Sequence, residues 1–231
     1  MTDHRPNRRE RIRRQTVAEI KATAMAQVRE VGSELLSLNG VGRSMGMSTA
    51  ALYRYFGSRD ELIAELAVDV HLELADVLEA AAGRVASPAG RVRSVANAYR
   101  DWALANPHAY RLAYGPAHGA DRAPVDDRVA PAAQRSMGVL LAVVTEGGQP
   151  STEPVPPELA RQIRVWSGGD RTDLPVEVLR FGLVWWSRLH GLISLELGAH
   201  LTATGIDPAL LYQGEVDAML AGLGHRYRAT A

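Results

Sequence analysis

Apolar residues recur at spacings of three and four along almost the whole 231-residue chain, and no stretch alternates long enough to predict a strand. The pattern predicts an all-α fold of about nine to ten helices. A first helix over Arg9 to Val31 would bury Val17, Ile20, Ala24, Val28 and Val31, with Gly32 as its C-terminal cap. Ser58 and Glu61 fit the capping box S-x-x-E and start a long helix through Ile63, Leu66, Val70, Leu74, Val77 and Leu78. After a break over 83–90, Ser87 caps and Pro88 opens a helix carrying Val92, Val95, Tyr99 and Trp102, which Asn106-Pro107 ends. A short helix over PHAYRLAY follows, then a loop rich in Gly, Pro and Asp to Asp126. Helices over 127–146 and 157–166 come next. Two strong helices, 175–199 and 207–225, close the chain; Asp207 caps the second and Pro208 sits at its start.

The densest passage is SLNGVGRSMGMSTAALYRYFGSRDEL, residues 37–62. Ser37 caps a short piece with Leu38, Val41 and Met45 along one edge, and Gly46 supplies the left-handed conformation of a tight turn. Ser48 then caps STAALYRYF, where Leu52 and Phe56 at i, i+4 anchor one side and Thr49, Ala50, Tyr53 and Arg54 occupy the other. Neither piece reaches the ~12–15 residues at which an isolated helix becomes marginal in water, so packing on the first and fourth helices must hold both. Gly40 and Gly42 weaken the first piece by roughly 1 kcal/mol each relative to Ala. Two short helices joined by a glycine turn, the second displaying small and hydrogen-bonding side chains, describe a helix-turn-helix whose second helix enters the major groove. Small residues there let the backbone approach the base edges, and alanine packs on thymine methyls. The alternative is a plain helical hairpin inside an all-α core, which would use Thr49, Tyr53, Arg54 and Arg59 poorly.

Charge sharpens this picture. The net charge is zero, yet the chain up to Asp60 holds 11 Lys+Arg against 6 Asp+Glu, and the remainder 15 against 20. The stretch RPNRRERIRR crowds Arg5, Arg8, Arg9, Arg11, Arg13 and Arg14 at the start. A basic front on an acidic body suggests that only the front meets a polyanion; a solvated, disordered tail over residues 1–8 is the other reading. Cysteine is absent, which excludes disulfides and thiolate metal sites. The start lacks a signal-type apolar stretch, and no run approaches the roughly 20 apolar residues of a membrane span, so no membrane partner is expected and the chain reads as cytoplasmic.

Gly32, Ser37-Leu38, Val41, Gly46-Met47-Ser48, Leu52-Tyr53-Arg54-Tyr55-Phe56 and Ser58-Arg59-Asp60-Glu61-Leu62 together resemble the TetR/AcrR family of bacterial transcriptional regulators. The detailed resemblance covers residues 12–62; it departs at Ser33, where an aromatic is usual, and at Gly42, where alanine is usual. It implies an N-terminal three-helix DNA-binding head over 9–70 and a larger helical body over 71–231 for ligand binding and dimerisation. It also implies that Asn39, Thr49, Ala50 and Ala51 touch bases, and that Ser37, Ser48, Tyr53, Tyr55 and Arg59 grip phosphates. Arg54 suits either a guanine or a phosphate. The expected partners are a double-stranded DNA operator, a small-molecule effector and a second copy of the chain. The expected function is a ligand-responsive regulator, a repressor by preference, on a palindromic operator. A helical interaction protein that kept the head but binds DNA nonspecifically or not at all is the competing class.

The closing helices are the dimer candidates. Residues 175–201 are apolar nearly all round, and Leu210, Leu211, Val216, Met219, Leu220 and Leu223 form a broad face on the last helix. An ordinary monomer core would produce the same pattern. Trp185, Trp186, His190 and Gly191 also resemble a subgroup of these regulators named for a Trp-His-Gly signature; Gly191 could admit a close helix, and His190 could be a satisfied core histidine. Tyr99, Trp102, Tyr110, Trp166, Phe181, Trp185, Trp186 and His190 are candidates to line an apolar ligand cavity, although aromatics at helical spacing also serve as plain core. Ser187, His190 and Glu196 lie on one continuous helix without a nucleophile elbow, so no catalytic site is expected. The seven histidines show no H-x3-H or HExxH spacing, and neither a metal nor a cofactor is expected.

Overall fold

The computed structural model describes residues 7–115, 128–147, 154–168 and 173–224. Residues 1–6 of the basic arm, including Arg5, and the expected loop before Asp126 lie outside the described residues. The described residues form ten α-helices and two short 3-10 turns, with no strand. They are α1 (Arg8–Val31), α2 (Leu38–Ser44), α3 (Thr49–Tyr53), α4 (Arg59–Gly83), α5 (Pro88–Ala105), α6 (Pro107–Tyr114), α7 (Val129–Gly147), α8 (Pro157–Trp166), α9 (Val176–Leu197) and α10 (Pro208–Gly224). The 3-10 turns span Ser33–Leu35 and Thr202–Thr204.

The chain divides into two compact units. The first comprises Met1–His71 and Asn106–Ala130. Here α1 opens on a capping box: the Asn7 side chain accepts from the Glu10 N–H, and Glu10 accepts from the Asn7 N–H at 3.1 Å. Its buried stripe is Ile20, Ala24, Met25 and Val28. Val17 is only half-buried, and Val31 is 44% exposed because it ends the helix beyond the packed turn. Leu38 and Val41 of α2, Leu52 of α3, Phe56, and Leu62, Leu66 and Val70 of α4 complete the core. Lys21, the only lysine in the chain, donates from α1 to Asp69 at 2.7 Å and Glu65 at 3.1 Å on α4. Burial pulls its pKa down, but these two carboxylate bonds outweigh that and leave it raised. The fourth-helix signal holds with one change: Ser58 Oγ accepts from the Glu61 N–H at 3.0 Å, while Glu61 reaches back to the Gly57 N–H at 2.7 Å. Helix α6, which the sequence expectation counts with the body, packs against α1.

The second unit comprises Leu72–Ala105 and Pro131–Ala231. Val92, Val95, Tyr99 and Trp102 of α5 are all buried, as their spacing requires. Helices α7, α8 and α9 meet around Leu141, Ile163, Val176 and Leu179. At Gly182 a Cβ would lie 2.4 Å from Leu141 Cδ2, so a side chain there would force Leu141 to shift between α7 and α9. Asp207 Oδ1 accepts the Ala209 N–H at 2.8 Å and starts α10. Arg100 of α5 forks onto Glu196 of α9 at 2.8 and 2.5 Å, and Tyr212 of α10 donates to the Ala96 carbonyl at 2.6 Å.

Candidate nucleic-acid interface

The turn between α2 and α3 is tight. Gly46 sits at φ +65°, and the Met47 N–H returns to the Gly42 carbonyl at 2.9 Å. Helix α3 has only five residues, so its placement depends on what it buries. Leu52 and Phe56 point inward, and burying each contributes roughly 1.5–3 kcal/mol. The period then forces the opposite side outward: Thr49, Ala50 and Arg54 are exposed, Tyr53 is 52% exposed, and Ala51 is half-buried.

Each expected contact residue has a defined local role. Ser37 caps α2 by accepting the Gly40 N–H at 2.9 Å, and Ser48 caps α3 by accepting the Ala51 N–H at 3.2 Å. In both, the hydroxyl proton remains available to a further acceptor such as a phosphate oxygen. Thr49 Oγ1 donates to Asn39 Oδ1 at 2.9 Å, which links the two short helices. Tyr55 is half-buried, and the Arg13 guanidinium stands 5.4 Å above its ring. Arg13 is not singled out within the arginine-rich start that is expected to meet a polyanion. Its signal was present in the arginine-rich start, but only the packing of α1 shows which of those arginines reaches Tyr55. Arg8, Arg9, Arg11, Arg13 and Arg14 are all exposed.

Arg59 is used differently from its neighbours. Its Nε donates to the Leu36 carbonyl at 2.9 Å, and its Nη2 donates to the carbonyls of Ser33 at 2.6 Å and Glu34 at 3.2 Å. The remaining nitrogen faces Asp60 at 3.5 Å. The guanidinium therefore holds the 3-10 turn that leads into Ser37.

The aromatic residues that are candidates to line a ligand cavity meet different partners. A cavity of about 330 Å³ lies between α9 and α10, lined by Phe181, Val184, Trp185, Arg188, Glu215 and Met219 among others. Only Phe181 and Trp185 of the expected aromatics line it. Tyr99 faces His190, with its hydroxyl 3.4 Å from Nδ1, and Trp102 donates to Glu73 at 3.2 Å. Tyr110 packs on Tyr114 within the first unit, and Trp166 is exposed at the end of α8. Trp186 stacks on His190 with ring centroids 5.2 Å apart. Burial lowers the pKa of His190, which favours its neutral form. The space beside Gly191 is open among the described residues, so no described helix makes the close approach that this glycine could admit. Of the expected dimer face, Val216, Met219 and Leu223 are buried within the chain, Leu220 is half-buried, and Leu210 and Leu211 are exposed.

Ser187 donates to the Leu183 carbonyl at 2.8 Å and Glu196 is paired with Arg100, so these residues share no hydrogen bond with His190. Among the described residues no cluster of His, Asp or Glu could hold a metal ion, and no helix is long and apolar enough to cross a membrane.

Comparison with known proteins places this geometry. A family model described as bacterial regulatory proteins of the tetR family matches residues 20–66, the segment that contains α2 and α3. A second, described as a tetracyclin repressor-like C-terminal domain, matches residues 92–219 and spans the Trp-His-Gly segment. The HTH-type transcriptional regulator Rv1816 of Mycobacterium tuberculosis is 31% identical over 234 residues, covering 95% of this chain and 97% of that one. The crystal structure of SCO4313, a provisionally assigned regulatory protein, superposes with a TM-score of 0.73 at 39% identity, covering 94% of this chain and 100% of that one. A Rhodococcus sp. RHA1 protein of unknown function superposes with a TM-score of 0.66 at 25% identity, covering 96% and 98%. Two family models that together reach from the exposed recognition helix to the closing helices, and a relative matched over nearly its full length, lead to one conclusion: the chain belongs to the TetR family and is a DNA-binding transcriptional regulator, not an enzyme.

Proposed function

We propose that the chain is a ligand-responsive repressor that binds a palindromic operator as a homodimer in the cytoplasm, with a basic arm over 1–8, a DNA-binding head over 9–70 and a ligand-binding and dimerisation body over 71–231. The observation that carries the reading is the outward face of α3. Thr49, Ala50, Tyr53 and Arg54 are exposed there while Leu52 and Phe56 are buried, and the Ser37 and Ser48 hydroxyls keep protons to donate. Asn39, Thr49, Ala50 and Ala51 read bases; Ser37, Ser48, Tyr53 and Tyr55 hold phosphates; Arg54 reaches either. Arg59 acts mainly by holding the turn before Ser37. The arginines at the start of α1 add backbone contacts, and Arg13 joins Tyr55 in them.

The effector binds in the body, with the Phe181 and Trp185 cavity as the favoured place. It shifts the population between two spacings of the heads, with α4 as the coupling element. Moving that balance from 1:99 to 99:1 takes about 5.5 kcal/mol of differential affinity. The Trp-His-Gly resemblance fits a packing role, because Trp186 and His190 stack and His190 faces Tyr99 of α5.

Selection from random duplexes tests the reading. The expected result is a palindrome whose half-sites lie about 34–36 Å apart, with log affinity falling against log salt by about 0.9 per neutralised phosphate. Arg54→Ala should relax preference at selected base pairs. Equal retention of all duplexes would dispose of sequence-specific regulation in favour of nonspecific binding.

A further inference from the structure

The hydrogen bond between Thr49 and Asn39 fixes the chemistry that this pair presents outward. Thr49 is the first residue of α3 and Asn39 the second of α2. Both are exposed, and the bond between Thr49 Oγ1 and Asn39 Oδ1 measures 2.9 Å. A carboxamide oxygen carries no proton, so the threonine hydroxyl is the donor. Its single proton is thereby committed, and Thr49 offers only lone pairs and a methyl group to anything beyond. Asn39 in turn has one lone pair of its oxygen engaged by Thr49 and keeps both amide N–H groups for a partner beyond.

This polarity discriminates between base pairs. In the major groove a G·C pair shows two acceptors, N7 and O6 of guanine, followed by the cytosine N4 donor. An A·T pair shows an acceptor, a donor and an acceptor, then the thymine methyl. A free asparagine reads adenine by using its oxygen and its nitrogen together. In this protein Thr49 takes one of the two lone pairs of that oxygen and turns it toward α3. The groups left foremost are the two amide donors of Asn39 beside an acceptor from Thr49, the complement of a G·C edge. We infer that Asn39 and Thr49 form a single reading unit that selects a G·C pair in each half-site, with Thr49 setting specificity by fixing the polarity of the Asn39 amide. This rests on the DNA-binding reading above and adds the identity of one base pair to it.

Selection from random duplexes with the full-length wild-type protein and four variants tests the inference. Asn39→Ala marks the position, as the one in each half-site whose preference it flattens. At that position the wild type should prefer G·C over A·T by roughly tenfold. Thr49→Ser keeps the hydroxyl and should keep the preference. Thr49→Val keeps the branched shape but releases the Asn39 oxygen, and the preference should move to A·T. Thr49→Ala also releases the Asn39 oxygen, without the branched shape, and should move the preference the same way. A G·C preference retained by Thr49→Val, or lost without a gain of A·T, overturns the coupling. So does a wild type with no position that Asn39→Ala flattens. Should Thr49→Val fail to fold by circular dichroism, Thr49→Ala decides: retained G·C overturns the inference and a move to A·T supports it. If the wild type enriches no duplex at all, the DNA-binding reading itself has failed, an outcome distinct from each of these.

Discussion

Arg59 sets one guanidinium against three backbone carbonyls, those of Ser33, Glu34 and Leu36. These carbonyls lie in a turn too short to satisfy itself with regular helical bonds, and a charged donor is worth more to each than a neutral one. The same residue type at a helix start also suits a phosphate; what Arg59 bonds depends on a turn 23 to 26 residues earlier. Arg59→Ala should therefore destabilise the head by about 2 kcal/mol, the value of hydrogen bonds to a charged group, and weaken binding to every duplex. Arg59→Lys should recover little of that stability, since an ammonium lacks the planar fork that spans several acceptors. Urea midpoints and salt titrations of both variants separate the roles. Unchanged salt slopes with lowered midpoints match a positioning residue, whereas a slope shallower by about 0.9 in Arg59→Ala alone would make Arg59 a phosphate contact.

Element starts were the most legible feature of the sequence, because capping is local chemistry. Ser37, Ser48, Ser58, Ser87 and Asp207 each accept a backbone N–H at the start they announce. The Asn7–Glu10 box at the start of α1 has the same logic and could have been read there. The 3-10 turns at Ser33–Leu35 and Thr202–Thr204 had no comparable signal, since three residues cannot show a period. The partners of the aromatics were equally hidden. Periodicity shows that Tyr99 and Tyr110 are buried, but not that one meets His190 and the other Tyr114. His71 belongs to the same class. It takes a core position on α4, its ring meets Tyr114 of α6 edge-on at 5.3 Å, and its Nδ1 has no hydrogen-bond partner while the ring bonds the Ala113 backbone. Burial lowers its pKa, so the unfolded chain takes up a proton more readily than the folded one. The stability it contributes is present above the ordinary histidine pKa of about 6.5 and is lost as the pH falls below it. His190 shares the direction and the cause. His71→Phe keeps a ring beside Tyr114 but cannot titrate, so its melting temperature should fall less than that of the wild type between about pH 7.5 and about pH 5.5. Equal falls would remove His71 from the acid response.

For the whole molecule, the proposed homodimer requires that two heads be held together, and the surface of the body limits where that can happen. The apolar face read along α10 divides in two once the helix is packed: Val216, Met219 and Leu223 belong to the interior of the chain, whereas Leu210 is 72% and Leu211 40% exposed. On α9, Val184 and Leu195 are also exposed, and Gly191 and Gly214 have open space where a side chain would stand. Large apolar residues interspersed with glycines would let the helix backbones of the proposed second copy come close. The interior and exterior halves of the α10 face should then respond to mutation in different ways. Replacing Leu210 and Leu211 together by Glu should halve the mass seen by sedimentation and weaken operator binding, because each head alone has a small interface. Val216→Ala should leave the mass unchanged but cost about 2 kcal/mol of folding stability through the cavity it opens. A dimer that survives both glutamates would locate the pairing surface away from this end of α10 and transfer the test to Val184 and Leu195 of α9.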